Sequence, residues 1–155
     1  MDVIQIFQPY VEELVEQGYP IWYAAADRGL CSYTTLYARA SVLAARHDEM
    51  TALVRAIHRT QTWVATAEAA ELAEAMAPYF PEVPAARRRA ICARYQALRI
   101  WGRTPVLPRE GYDRLLQSMQ SAGFVNPGTP YEQAVDNSFA QAAVAALSGK
   151  ESDQE

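Results

Sequence analysis

Hydrophobic residues recur every three to four positions over most of the chain after residue 46, and this period predicts five helices. The first is expected over residues 47–66, with Asp48 near its N-terminus. The other four have a proline or a glycine at a boundary and are expected near residues 67–78, 84–101, 108–122 and 130–148. Their apolar faces include Leu53, Ile57, Val64, Leu72, Met76, Ile91, Tyr95, Leu98, Tyr112, Leu115, Leu116, Met119, Tyr131, Val135, Phe139 and Leu147.

The first 45 residues carry a different pattern, in which aromatic and β-branched residues form short runs. Residues 3–7, 21–23 and 34–37 are such runs, and these side chains fit the pleated surface of a sheet. The glycine of the segment 27–29 suits a turn between the last two runs. A short helix is expected over residues 9–18. We therefore expect an α/β fold class, predominantly helical, with a short sheet at the N-terminal end and about five helices after it.

Composition and charge limit the classes of function. The chain has 155 residues, 50% of them hydrophobic and 21% charged, which predicts one globular domain with a substantial core. Its formal net charge is -4, whereas a nucleic-acid interface usually needs a basic face. The one basic cluster, Arg87 to Arg89, is expected to be a solvated helix face. No nucleic-acid partner is therefore expected.

The reactive side chains give no pattern typical of catalysis or metal binding. The two cysteines are far apart without a CxxC spacing, and His47 and His58 do not have the spacing of ligands on one helix. Ser32, His58 and Asp27 can be written as a triad, but no strained nucleophile turn precedes the serine. We expect no enzyme activity, no catalytic residue, no cofactor and no metal.

An ordered set of residues runs from residue 94 to residue 146. It comprises Tyr95, Trp101, Pro105, Glu110, Gly111, Tyr112, Asp113, Gly123, Pro130, Tyr131, Glu132, Val135 and Asp136. This set resembles the C-terminal helical end of ABC-importer substrate-binding proteins of the nitrate, sulfonate, taurine and thiamine-precursor group. Segments 2–10 and 34–45 resemble that family's strand-to-helix corner in its second lobe and its return to the first lobe.

The resemblance implies a fold and a division of the chain. It covers essentially all of this chain but only the C-terminal half of the family, so a partial type II periplasmic-binding-protein fold is implied. Residues 1–33 would be a remnant of the second lobe. Residues 34–149 would be the mostly helical C-terminal part of the first lobe, and residues 150–155 are expected to be a disordered tail.

The resemblance also implies a function. The chain would be a solute-binding protein, or a truncated part of one, that binds without catalysis. The solute would be small and anionic or heteroaromatic, such as nitrate, a sulfonate, taurine or a pyrimidine precursor, and the partners would be an ABC permease and an ATPase. The family implies a periplasmic or extracellular location. The N-terminus, MDVIQIFQPYVEE, lacks the pattern of a secretion signal, so the chain as written is expected to stay in the cytoplasm.

By resemblance, ligand contacts would come from the corner before the first helix and from the loop over residues 26–33. A helix start offers unpaired N–H groups and the positive end of the helix dipole, which suits an anion, although Pro9 has no N–H to donate. The alternative is that Gln8 is a plain surface residue and that Tyr10 packs on Tyr33. The residues expected to contact the ligand are Gln8, Tyr10, Ser32 and Tyr33.

The apolar run at residues 3–7 also predicts an association. A strand that has lost sheet neighbours presents an edge that pairs readily with another chain. We therefore expect a homo-oligomer, domain swapping, or a separately encoded N-terminal half as a partner. A competing hypothesis is a helical protein-interaction module, or a remnant that binds no solute and self-associates.

Overall fold

The computed structural model describes residues 2–152, with side chains described for residues 2–147. In this range the α-helices are α1 (Tyr10–Glu16), α2 (Ala40–Ala45), α3 (His47–Thr66), α4 (Ala69–Met76), α5 (Ala85–Ala97), α6 (Arg109–Ser121), α7 (Tyr131–Ala134) and α8 (Ser138–Ser152). Short 3₁₀ turns occupy Ala25–Arg28 and Ala77–Tyr79. None of the described helices is both long enough and apolar enough to cross a bilayer.

The predicted sheet at the N-terminal end is wrong. The described part of the chain contains no strand, and residues 3–7, 21–23 and 34–37 are irregular. A strand needs a neighbouring strand to bond its backbone N–H and C=O groups, and these runs meet none among the described residues. The segment 40–45 forms α2. The observed fold class is therefore helical rather than α/β, and the partial periplasmic-binding fold with its short sheet is not observed.

The helical period predicted the later helices more accurately. Helix α3 occupies residues 47–66 as expected, and α6 lies within the expected range. The last predicted helix is instead two helices, because Val135 between them is extended (φ -120°, ψ 123°). Asp136 Oδ1 then accepts a hydrogen bond of 2.9 Å from the backbone N–H of Ser138, where α8 begins. The predicted tail 150–155 begins inside α8 and continues into residues 153–155, which lie outside the described residues.

Contacts divide the chain into two compact units. The first comprises the chain up to residue 28 together with residues 63–102, and the second comprises residues 29–62 and the chain from residue 103 onward. These units do not coincide with the predicted segments 1–33 and 34–149. The assignment of those segments to receptor lobes stays a prediction.

The core of the first unit lies where α4 packs against α5. Leu72, Ala73 and Cys92 are buried there, and the apolar residues around them are Val64, Ala67, Ala69, Met76 and Trp101. Burial raises the pKa of the Cys92 thiol, which keeps it protonated and unreactive. Cys92 is therefore a small core residue.

Charged side chains hold α1 against α5 in the first unit. The Glu12 carboxylate accepts hydrogen bonds from Nε and Nη2 of Arg94, the second at 3.2 Å. Arg87 donates to Glu16 at 2.6 Å and to Glu13 at 3.3 Å. The prediction that the basic cluster is merely a solvated face is therefore wrong for Arg87, because α1 presents three carboxylates to this side of α5.

Candidate functional site

Gln8 and Tyr10, the predicted site residues of the first unit, lie at the start of α1. The Gln8 side-chain amide donates a 3.2 Å hydrogen bond to Glu12 Oε1, and its Oε1 accepts a 3.3 Å bond from the Glu12 N–H. Gln8 therefore occupies one of the free N–H groups that an anion would use. Tyr10 is largely exposed. Contact between these two residues and a solute stays a prediction.

Ser32 and Tyr33 lie in the second unit, in the loop before α2. The Ser32 N–H donates a 3.0 Å hydrogen bond to the carbonyl of Gly111, which holds the loop against the first turn of α6. The Ser32 hydroxyl is buried and has no hydrogen-bond partner among the described residues. The Tyr33 ring is largely exposed. Of the four predicted residues, Ser32 is thus joined to α6, whereas Gln8 and Tyr10 belong to the other unit.

Hydrogen bonds to Leu107 fix the chain that leads into α6. Asn137 Oδ1 accepts from the Leu107 N–H at 3.0 Å, and Asn137 Nδ2 donates to the Leu107 carbonyl at 3.1 Å. The hydroxyl of Tyr131 donates to the same carbonyl at 2.6 Å. Tyr112 packs edge-on against Tyr131, with ring centroids 5.6 Å apart, and donates from its hydroxyl to the Thr129 carbonyl at 2.6 Å. The start of α6 is therefore held by both side-chain and backbone groups.

The charged face of α6 lines a surface depression of about 530 Å³. Arg114 donates to Glu110 at 3.0 Å, one helical turn away. Arg109 pairs with Glu132, and its guanidinium carbon lies 4.5 Å from the centre of the Tyr131 ring. The depression therefore offers positive donors beside negative acceptors. Its lining residues are Arg109, Glu110, Asp113, Arg114 and Gln117.

This arrangement suits binding through ion pairs and hydrogen bonds. A solute with both a positive and a negative group can replace the internal pairs of such a lining, whereas a simple anion meets repulsion from Glu110 and Asp113. The first turn of α6 also offers uncapped backbone N–H groups and the positive end of the helix dipole, because the helix follows Pro108 and no side chain caps it. Among the described residues, no group of three or more His, Cys, Asp or Glu side chains is placed to hold a metal ion.

The sequence carries a signal for this depression in the spacing of its charged and polar residues. Arg109, Asp113 and Gln117 are four residues apart, as are Glu110 and Arg114, so a predicted helix places them on one surface. The site prediction missed them because only the apolar face of that helix was considered. The proximity of Ser32 to Gly111 has no comparable signal, since it joins residues far apart in sequence.

The contact between the loop and α6 gives a first testable prediction. A Cβ on residue 111 would lie 2.7 Å from Ser32 Oγ and 3.1 Å from the Ser32 backbone nitrogen. We expect Gly111→Ala to destabilise the second unit by about 1–3 kcal/mol, although alanine is the better helix former. Hydrogen exchange at Ser32 should also accelerate. Equilibrium urea unfolding followed by circular dichroism measures the first effect, and mass spectrometry the second.

The control for this prediction is the double variant Ser32→Gly/Gly111→Ala. It removes the Ser32 Oγ, which is the nearer of the two clashing atoms, and should recover part of the lost stability. A Gly111→Ala chain as stable as the natural chain would contradict the observed packing of the loop on α6.

Comparison with known proteins shows a distant relative. The sequence is 23% identical over 142 residues to a Bacillus subtilis (strain 168) protein named "Putative binding protein YtlA". The aligned residues cover 90% of this chain and 42% of the relative, so the chain spans less than half of that protein's length. No protein-family model matches the sequence, and no solved structure matches it significantly. The similarity supports a binding function in general.

Proposed function

We propose that this chain is part of a solute-binding protein of an ABC importer, and that it binds a small solute without catalysis. The observation that carries the proposal is the alignment of nearly the whole chain with the relative named as a binding protein. The resemblance of residues 94–146 to the nitrate, sulfonate, taurine and thiamine-precursor group supports the finer assignment. Under this proposal the chain works with a permease and an ATPase, in the periplasm or outside the cell.

The α6 depression is the proposed place of contact in the second unit. Its two guanidinium groups suit a sulfonate, and its two carboxylates suit an ammonium group. Of the solutes that the resemblance implies, taurine carries both groups and therefore fits this lining best. Ser32 lies beside Gly111 in the first turn of α6 but does not line the depression, and its contact with a solute stays a separate prediction.

A thermal-unfolding screen against taurine, nitrate, an alkyl sulfonate and hydroxymethylpyrimidine tests this proposal. A solute present at about 100 times its Kd adds roughly 2.7 kcal/mol to the free energy of unfolding, which raises the midpoint by several degrees. We expect taurine to give the largest shift. If none of the four solutes moves a cooperative transition, the proposal of solute binding by this chain fails.

Two variants that remove the same charge separate a specific site from a general effect. Arg109→Gln removes a guanidinium that lines the depression, and Arg103→Gln removes an exposed one that does not line it. We expect the affinity for taurine to fall at least ten-fold in the first variant and to persist in the second. If both variants lower the affinity for taurine equally, the depression is not the binding site.

A protein-interaction function is the second candidate. Large apolar side chains are exposed in both units, among them Phe7, Trp22, Leu36 and Tyr37. Exposed apolar surface of this kind is typical of contact with another polypeptide. This function does not exclude solute binding, because the exposed apolar residues are different from those that line the α6 depression.

A further inference from the structure

The loop of residues 29–32, called the clasp below, lies against the first two turns of α6 at two points. At one end the Ser32 N–H donates a 3.0 Å hydrogen bond to the Gly111 carbonyl. At the other end the backbone of Gly29 lies beside the Arg114 guanidinium, since a Cβ on Gly29 would be 3.3 Å from Nη2, 3.6 Å from Cζ and 3.8 Å from Nη1. Both contacts lie within the second unit. The clasp therefore reaches the lining of the α6 depression through Arg114.

Position 29 requires glycine for two reasons. Its φ of +93° lies in the left-handed region, which residues with a side chain rarely adopt. A Cβ 3.3 Å from a nitrogen is also closer than ordinary van der Waals contact, so an added side chain displaces either the loop or the guanidinium. The end of an arginine side chain has several rotatable bonds, and it therefore moves more readily than the backbone. The residue type at position 29 thus decides where the charge of Arg114 lies.

The Arg114 side chain is held at its inner end and reachable at its surface. Its Nε atom is buried, and its Nη2 donates to Glu110 at 3.0 Å. The side chain as a whole is nevertheless 40% exposed. A charged group that is already in place loses less side-chain entropy when a solute binds, and this raises the affinity. The contacts with the clasp and with Glu110 therefore prearrange one of the two guanidinium groups of the depression.

We propose that Gly29 is a positioning residue of the solute site, which holds the Arg114 guanidinium where the acidic group of the solute binds. This inference rests on the proposed binding of a solute in the α6 depression. Gly29 does not line the depression itself and acts through Arg114, which does. Its effect is specific to solutes that carry a sulfonate or a carboxylate, since a planar guanidinium bonds such groups through two parallel N–H donors.

A measurement without any solute tests the contact between Gly29 and Arg114. Nuclear magnetic resonance of the full chain labelled with ¹⁵N follows the Nε–H of Arg114, whose signal is assigned by its loss in Arg114→Lys. We expect the hydrogen on this buried nitrogen to exchange at least about ten-fold faster in Gly29→Asn than in the natural chain. Asparagine adds the Cβ and tolerates a positive φ better than alanine does, so the variant folds more readily. An unchanged Arg114 signal in Gly29→Asn would overturn the inference.

The matched control for this measurement is Gly18→Asn. Gly18 has a φ of +90°, but a Cβ there would meet nothing within 4 Å. This variant therefore carries the backbone strain of Gly29→Asn without the contact, and we expect the Arg114 signal to be the same as in the natural chain.

Calorimetric titration with taurine tests the consequence for binding. We expect the Kd for taurine to rise at least about ten-fold in Gly29→Asn and to stay unchanged in Gly18→Asn. Arg114→Lys keeps a charge but removes Nη2, the atom nearest to the added Cβ. In that background Gly29→Asn should change the Kd by less than about two-fold, because the group through which it acts is absent.

The outcomes separate this inference from the proposed function. Taurine may bind the natural chain with an affinity that Gly29→Asn leaves unchanged, or lowers equally with arginine and with lysine at position 114. Either result overturns the role of Gly29 and leaves the proposed function intact. A natural chain that binds neither taurine nor an alkyl sulfonate would instead refute the proposed function, and this inference with it.

Discussion

Replacing Arg94 with methionine is expected to destabilise the first unit by about 3 kcal/mol, because it leaves a buried carboxylate without its counter-ion. The Glu12 side chain is 4% exposed, and Arg94 supplies two of its hydrogen bonds. Removing one partner of a buried ion pair costs about 3–5 kcal/mol. The lower value applies here, since the Arg94 side chain keeps 32% of its surface in water.

Equilibrium urea unfolding followed by tryptophan fluorescence measures this loss. The chain's three tryptophans, Trp22, Trp63 and Trp101, all belong to the first unit, so the signal reports that unit. The double variant Glu12→Gln/Arg94→Met removes the charge as well as its partner and should recover most of the stability. Arg89→Met changes an exposed arginine of the same helix as Arg94 and should leave the transition unchanged. If Arg94→Met behaves like Arg89→Met, the buried pair does not exist in solution.

The pH dependence of the stability difference between the natural chain and Arg94→Met provides a further test of the buried ion pair. The hydrogen bond from Arg94 holds the pKa of Glu12 below its ordinary value of 4.5. The ionised pair therefore stabilises the first unit above the unfolded pKa, and this contribution is lost as the pH falls through the lower, folded pKa. Without Arg94, burial raises the pKa of Glu12 instead. Acid therefore protonates the carboxyl in Arg94→Met and removes the buried charge that destabilises this variant. The stability gap between the natural chain and Arg94→Met should accordingly shrink on acidification.

The helices could be predicted because a helix satisfies its backbone within its own segment. The bounds of α3 and α6 therefore follow from local spacing and from the proline and glycine residues beside them. A strand has no such independence, since its hydrogen bonds go to another strand. Residues 34–37 have the side chains of a strand, yet no described residue pairs with them. The strand prediction failed here because a sequence pattern cannot report whether a pairing strand is present.

The predicted ligand contacts stay a prediction, and the sequence leaves them open for a similar reason. The free N–H groups at the start of α1 suit any acceptor, whether a solute anion or the side chain of Gln8, and residue types alone do not decide between them. In the structure the Glu12 N–H donates its hydrogen bond to Gln8 Oε1. The position of Ser32 beside Gly111 is a long-range contact that no local pattern encodes. The shared face of the charged residues of α6, by contrast, follows from their four-residue spacings and was predictable.

Leu72→Ala should be the most destabilising apolar substitution in the described core of the first unit, with an expected cost of about 3 kcal/mol. Leu72 is 3% exposed and packs with Cys92 beneath Trp101 and Met76. Truncation removes buried carbon atoms and leaves a cavity, because α4 and α5 already pack against each other and can close only partly. Tryptophan fluorescence in urea again reports the transition, since Trp101 lines this core.

Leu36→Ala is the matched control, because it deletes the same atoms from a side chain that is 67% exposed. We expect it to change the free energy of unfolding by no more than about 0.5 kcal/mol. Circular dichroism measures this control, because Leu36 belongs to the second unit and all three tryptophans belong to the first. Leu72→Met, which conserves volume, should cost less than about 1.5 kcal/mol and remains measurable if the alanine variant does not fold. If Leu72→Ala costs no more than Leu36→Ala, then the contact of α4 with α5 is not the core of the first unit. In that case its stability comes mainly from the charged cluster that joins α1 to α5.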